Sequence, residues 1–571
     1  MKVGANGVGL EESLTTTMTI LAQDPTVKVN GKILTAEAEI PREVLGLGPR
    51  GYRVYVVDFD SSTGALYRPA VVPVPAKPAG QLVGSLDFHA QNAYAIVMRT
   101  LARFEFALGR RVSWSFDGHQ IHVAPHGFAE ANAFYSKRDR GLFFGYFDDE
   151  KGNKIYTCLS HDVVAHETTH ALLDGLRARY TFPSSPDQAA FHEGFADVVA
   201  LLSIFSLPNV VEELLDANAP KRDQEFVEKK WLTKQNLLQT ALFGLGEEVD
   251  PRRSALRRSA AIPPNEHILE EETYKEAHNR GEIFVAILMN SFLSIWLRRI
   301  GELGDRTEKK LLRTKVAEEG RAAADYLLTM VIRALDYSPV TDLLFGDFWS
   351  ALLTSDHEIQ PSDAKYHYRE VISESFEAYG VRASPSRREQ DGARMWEPPE
   401  VKLNYSKTHF ESMKQDPDEV FRFLWENRKG LGLCEDAYTR VQSVRPCLRL
   451  SVDGFLLRET VAEYVQILNL DCSELKRFGI ETPRQMPAKT PITLYGGGAL
   501  IFSEYGQLKY HVRTRVLNKT RQSDRLAYLW DSGFFESDDQ GERRFSEMHR
   551  LRLMAGVEKS SEEVHRHGEF F

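Results

Sequence analysis

The five residues His166-Glu167-Thr168-Thr169-His170 constrain this chain more than any other feature. Two histidines four apart share a face only on a helix, where i and i+4 lie one turn apart. Both imidazoles then point to one spot. Paired imidazoles suit zinc, and Glu167 follows the first of them closely enough to sit near a metal-bound water. Chance alone would produce such a motif in roughly 3% of chains of this length and histidine content, so its context has to decide.

That context predicts a helix from Ser160 to Leu176. Ser160 is a suitable N-cap, and Asp162 puts a negative charge in the first turn. Val163, Val164, Leu172, Leu173 and Leu176 supply an apolar face, and Gly175 can end or bend the helix. A catalytic zinc takes three protein ligands, so a third must come from elsewhere. Ser185-Pro186-Asp187-Gln188 opens a second predicted helix, with a Ser cap, Pro at the first helical position and Gln three residues after the cap. Glu193 and Asp197 share one face of it. Glu193 can reach the metal, and Asp197 can take the other ring proton of a ligating histidine and fix its tautomer.

With these two segments in view, the stretch from Ser160 to Asp174 resembles the active-site helix of thermolysin-like metallopeptidases. These are gluzincins, whose third zinc ligand is a Glu on the next helix, followed four residues later by an Asp. Glu193 and Asp197 match that pattern. Asn132-Ala133-Phe134-Tyr135 resembles the family's edge strand, whose Asn and Ala main chain pairs with an extended peptide. Arg333-Ala334-Leu335 and Phe376-Glu377-Ala378-Tyr379-Gly380-Val381 resemble the close of its helical lobe. The likeness spans about residues 86 to 382 and leaves 1–80 and 400–571 outside.

The resemblance implies zinc held by His166, His170 and Glu193, with Glu167 as the general base. It implies Asp197 and Asp174 as supporting acids, and Asn132 and Ala133 as substrate-binding positions. Its oxyanion-stabilising pair maps onto His278 and Tyr180, each displaced by one residue from the family's spacing. The gap from His170 to Glu193 is longer than in the type enzymes. The stretch 198–207, where acidic calcium ligands would partly fall, is apolar apart from Ser203 and Ser206, so a paired calcium site is not expected.

The implied fold is α+β. A β-containing lobe (residues 81–205, with both zinc-binding helices) and a helical lobe (206–383) flank the active-site helix. An N-terminal arm and small β module (1–80) is expected before them. A mixed α/β accessory module (400–536) and a charged tail (537–571) are expected after them. The β module rests on a hairpin signal at Asn30-Gly31 and on alternation from Tyr52 to Phe59. Phe88 to Gly109 has helical spacing, whereas Val112–Phe116 and Gln120–Ala124 read as strands. Ser384–Pro399 reads as a linker and Gly496-Gly497-Gly498 as a turn.

Composition narrows the function classes. Lys plus Arg is 71 against 81 for Asp plus Glu, a net charge of −10, which gives no support to nucleic-acid binding. The basic run 252–258 reads as a solvated helix face. The most apolar run, Ile283 to Leu297, is shorter than the roughly 20 residues that cross a bilayer and reads as a buried helix. Without a signal-peptide pattern, a soluble, cytoplasmic chain is expected. Four cysteines without Cys-x-x-Cys spacing give neither a disulfide framework nor a zinc knuckle. Cys158 reads as a small buried residue, His122, His126 and His511 as structural, and His161 and His192 as supporting or exposed neighbours of the motif.

The expectation is therefore a zinc endopeptidase acting on a protein or peptide, with the C-terminal module restraining the cleft or engaging a regulatory partner. Two rivals stand beside it. A catalytically idle scaffold would have no need of Glu167. A gluzincin aminopeptidase would carry a Gly-x-Met-Glu-Asn segment, which this chain lacks.

Overall fold

In the computed structural model, residues 14–535 are described, apart from 30, 150, 216–222, 224, 244–258, 305–308, 384–394 and 452–453. The charged tail, the basic run and most of the expected linker lie outside the described residues. The fold is mixed helix and strand, as an α+β class requires.

Strands β1 (Thr15–Leu21) and β2 (Thr35–Pro41) form an antiparallel pair. A hairpin of Lys28–Val29 and Lys32–Ile33 lies between them in the chain. Strand β3 (Val54–Val56) leaves this region and joins a five-stranded sheet with β4 (Ile121–Phe128), β5 (Ala133–Ser136), β6 (Gly141–Asp148) and β7 (Lys154–Tyr156). The main path runs β7-β6-β4-β3, with β3 and β6 parallel to β4. Strand β5 pairs antiparallel with β6 alone among the described residues, which makes it an edge. The N-terminal β region is thus partly built into the larger sheet.

Helix α1 (Leu86–Leu108) is capped by the Ser85 side chain and closed by Gly109 in the left-handed region. The expected strand Val112–Phe116 is irregular instead. Side chains take its backbone groups: Glu105 accepts from the Val112 amide, and Arg53 donates to the Val112 carbonyl. A ladder partner is therefore not needed.

Helix α2 (His161–Leu176) carries the motif, and α3 (Pro186–Phe205) carries Glu193 and Asp197. Ser160 stands at the α2 N-cap, but its hydroxyl donates to Asp24 at 2.7 Å and does not cap the helix. Ser185 does cap α3, accepting from the Gln188 amide at 3.1 Å. Gly175 lies within α2, where a Cβ would collide with the Ser113 carbonyl. It serves close packing and does not end the helix.

Helices α4 (Ala277–Gly301), α5 (Arg313–Arg333), α6 (Phe345–Ile359) and α7 (Tyr368–Ala378) complete the helical part. Helix α4 is long and apolar enough to cross a membrane by length and composition, yet 72% of its apolar window is buried inside the protein. It is a core helix, as its sequence predicts.

The C-terminal region has a short helix α8 (Pro417–Glu426), an antiparallel sheet β8-β9-β10-β11 (Tyr438–Leu450, Leu456–Asp471, Pro491–Ser503, Leu508–Thr514) and helix α9 (Lys519–Asp531). Gly496, Gly497 and Gly498 are not a turn but the middle of β10. A Cβ on Gly497 would strike the Tyr464 carbonyl, and one on Gly496 would lie 2.5 Å from the Val516 nitrogen. The glycines let neighbouring backbone press close.

This region has two small cores of its own. It also enters the main core through Cys447, Val461, Val465, Ile501 and Val512. Trp396, from the expected linker, donates its indole N–H to the Tyr337 carbonyl at 2.8 Å. A buried ionic cluster crosses the same boundary. Asp336 accepts from Arg110 at 2.5 and 2.7 Å and from Arg449. Arg449 also donates to Glu459 at 2.5 Å, and Arg177 pairs with Glu463. Buried contacts thus cross the position of the expected module border at residue 400.

Candidate metal centre

Two turns of α2 and one of α3 build the centre. The Nε2 atoms of His166 and His170 lie 2.9 Å apart. Glu193 Oε2 is 3.7 Å from each. His170 and Glu193 are buried and His166 nearly so.

The outer nitrogens of both rings are engaged. Asp197 Oδ1 accepts from His166 Nδ1 at 2.7 Å. His170 Nδ1 lies 2.8 Å from His192 Nδ1. A His166 ring that donates through Nδ1 presents a bare lone pair at Nε2 when neutral, which is the form that ligates metal. Burial works against a charged His166 ring, but Asp197, with Glu167 and Glu193, more than offsets it and raises its proton affinity above the ordinary value. A spot this rich in negative charge suits a cation. The donor set of two imidazoles and one carboxylate fits zinc with a fourth position left open. Nitrogens bound to one tetrahedral zinc lie about 3.3 Å apart, so a shift of only a few tenths of an ångström separates this arrangement from ligation.

Glu193 owes its position to close packing of α3 against α4. A Cβ on Gly194 would fall 2.8 Å from the Gly281 carbonyl, and one on Gly281 would fall 3.1 Å from the Ala190 carbonyl and 3.7 Å from the Glu193 Cβ. Glycine at 194 lets these helix backbones approach so closely, and a side chain at 281 would need its neighbours to give by a few tenths of an ångström.

Glu167 is fully buried, and its Oε2 accepts from the Tyr135 amide of β5 at 3.1 Å. The base candidate therefore touches the sheet edge. The Ala133 amide is bonded to Asn132 Oδ1 at 2.8 Å. Ala133 and Tyr135, two apart on β5, thus turn their amides away from β6. Asp174 sits one turn beyond His170 and accepts from the Tyr135 hydroxyl at 3.2 Å, while Ser115 also bonds that hydroxyl. Asp174 thus links the edge strand to α2.

The structure brings together His166, His170, Glu193, Asp197, Glu167, Asp174, Asn132 and Ala133 around α2 and β5. Tyr180 is different. It is fully buried and donates its hydroxyl to the Pro339 carbonyl at 2.6 Å. His278 belongs to α4, but its side chain lies outside the described residues. His161 is buried, 2.9 Å from Ser203 Oγ, and is structural.

The sequence assigns His192 no specific partner, carries Tyr135 only within the segment 132–135, and does not mark Gly194 or Gly281 for packing. The adjacency of His192 to Glu193 was the one signal that could have found the first of these.

No family model matches the chain, and no curated protein matches it.

Proposed function

We propose that this protein is a zinc-dependent endopeptidase of thermolysin-like architecture, with β5 and α2 forming one wall and the floor of its cleft. The observation that carries the reading is the convergence of His166, His170 and Glu193 on one point, with Glu167 beside them and bonded to an edge strand. His166, His170 and Glu193 would hold the zinc. When bound, zinc supplies a Lewis acid for the scissile carbonyl and lowers the pKa of water to about 7.

The chain's own residues do the rest. Asp197 and His192 orient the two imidazoles. An extended peptide adding to the β5 edge, with Asn132 and Ala133 at its start, would take over the Ala133 and Tyr135 amides from Asn132 Oδ1 and Glu167. Glu167 takes the proton of the attacking water and passes it to the leaving nitrogen. A peptide paired along β5 would run past that carboxylate, which supports peptide hydrolysis over other chemistry at the same donor set. His278 stays as the oxyanion candidate that the resemblance supplies. Tyr180 is not carried into the mechanism, because its hydroxyl is committed to Pro339.

Glu167→Gln tests this reading. The amide keeps the size and a hydrogen-bonding group but cannot take the proton. Cleavage of a peptide library should fall by about 100- to 10,000-fold or more, with zinc content and folding unchanged. Near-normal cleavage by a fully zinc-loaded variant would remove Glu167 as the base.

A further inference from the structure

We propose that His89, His126 and Cys158 hold a second metal cation, zinc or copper(I), in a closed structural site between helix α1, the five-stranded sheet and the entry to α2. The three residues come from distant parts of the chain: α1, β4 and the turn just before α2. One nitrogen from each ring and the Cys158 sulfur all lie within 4.8 Å of one another.

The hydrogen bonds around the cluster decide what can lie at its centre. His89 Nε2 is 2.7 Å from the Val83 carbonyl. A carbonyl only accepts, so Nε2 carries the hydrogen and Nδ1 of the neutral ring is a bare lone pair. His126 Nδ1 is 2.7 Å from Asp58 Oδ2. A carboxylate accepts there, so Nε2 of the neutral His126 ring is bare as well. These two bare nitrogens, His89 Nδ1 and His126 Nε2, face each other at 2.8 Å.

Two lone pairs at that distance repel unless something positive lies between them. A shared proton or a metal cation would serve. The sulfur in the same cluster favours the metal, because a proton held by two imidazoles has no use for a third donor. The outer partners, a carbonyl for one ring and a carboxylate for the other, are those that orient ligating histidines and set their tautomers. Two imidazoles and a thiolate suit zinc, with one further position, and soft copper(I), for which sulfur is a preferred donor.

The site is closed. His89 and His126 are 1% exposed and Cys158 0%. The rings of Tyr67 and Tyr156 pack against the histidines at 4.7–5.4 Å. No open face remains for a substrate, so the role is structural. The Cys158 carbonyl already accepts from Asn92 Nδ2 at 2.9 Å, and Asn92 lies one turn beyond His89 on α1. A cation would reinforce that link two residues before the N-cap of α2, and so fix where the motif helix begins.

The test removes the first centre so that the second can be read alone. Full-length His166→Ala/Glu193→Ala should retain about one equivalent of zinc or copper by elemental analysis, with a sulfur neighbour near 2.3 Å in its X-ray absorption spectrum if zinc is bound. The first centre offers no sulfur ligand, and among the described residues Cys158 is the one cysteine grouped with histidines, so that neighbour is assigned to Cys158 when it persists in a Cys434→Ser background. Adding Cys158→Ser should bring the metal to background. A metal-free double variant, or bound metal with no sulfur neighbour, would overturn the proposal in favour of a shared proton. That decision is made with Cys158 intact and does not depend on whether the triple variant folds. The element found separates zinc from copper. The peptidase reading can fail while this site stands: wild-type protein would then hold only the sulfur-bound metal.

Discussion

At the residue scale, Asp197 is the group whose contribution can be separated from that of the ligands themselves. It takes no metal bond in the arrangement proposed, yet it fixes the His166 tautomer through a 2.7 Å contact. Asp197→Asn keeps the shape and can present its N–H₂ to the ring, which would favour the wrong tautomer. Loss of such an outer partner lowers metal affinity by about 10- to 100-fold. Competition with a zinc chelator should find a drop in that range with the unfolding midpoint hardly moved. An unchanged affinity would mean that Asp197 does not orient the ring. The grouping of His166, His170 and Glu193 is legible because both helices write their signals locally: a four-residue spacing, a Ser-Pro cap, an acid on the right face. His192 and Tyr135 were not legible in their roles. Each acts through a partner 22 or 32 residues away, His170 and Glu167, and no local pattern encodes such a meeting. Nor can the sequence show that the Tyr180 hydroxyl meets the Pro339 carbonyl, 159 residues distant.

At the element scale, the α3–α4 contact is the one on which the centre depends. Gly194→Ala would press a methyl to 2.8 Å from the Gly281 backbone carbonyl. Backbone cannot swing aside as a side chain can, so one helix must move. Overpacking of this kind costs about 1–3 kcal/mol. The motion would carry Glu193, so metal affinity should fall along with stability. Gly301, at the end of the same α4, meets nothing within 4 Å of a built Cβ. Gly301→Ala should therefore be neutral or stabilising by up to about 1 kcal/mol. Denaturant titration of both variants, with metal content alongside, checks the pair. Equal effects would show that glycine acts here through chain entropy and not through the approach of two helices. Helix α1 can be read from its helical spacing, and α4 from its apolar run. The glycine run at 496–498 could not, because a close-packed strand and a turn both ask for glycine. The stretch 112–116 alternates like a strand, yet Glu105 and Arg53 take its hydrogen bonds.

At the scale of the whole molecule, the question is whether residues beyond 400 form a separable part. Their mixture of helix and strand is visible in the sequence, but not that Arg177 meets Glu463, 286 residues on. Asp336, Arg449 and Glu459 have side chains no more than 1% exposed. Burial opposes ionisation of Asp336, but Arg110, then Arg449 and Arg177, outweigh it and hold its carboxyl well below the ordinary value of 3.8. The unfolded chain therefore binds the proton first as pH falls. The stability Asp336 contributes is present above pH ~4 and is lost as pH drops through and below the ordinary aspartate range. Acid unfolding of wild type should show this loss, and Asp336→Asn should flatten it. The sharper test is Arg449→Met. Removing one member of a buried pair costs about 3–5 kcal/mol, because the remaining charge is left uncompensated. Asp336 keeps Arg110 and Glu459 keeps Lys509, so the lower end of that range is expected. Arg382→Ala breaks an ion pair whose side chains are 86% and 61% exposed and should cost nothing measurable. If the C-terminal sheet is part of one cooperative body, Arg449→Met lowers a single unfolding transition, followed equally by metal release and by the near-ultraviolet signal of the C-terminal tryptophans. A chain ending at Arg382 would then fail to fold, having lost Arg449 and Glu463 from its interior. Two separate transitions, with only the later part of the chain shifted by Arg449→Met, would instead mark that region as an independent module.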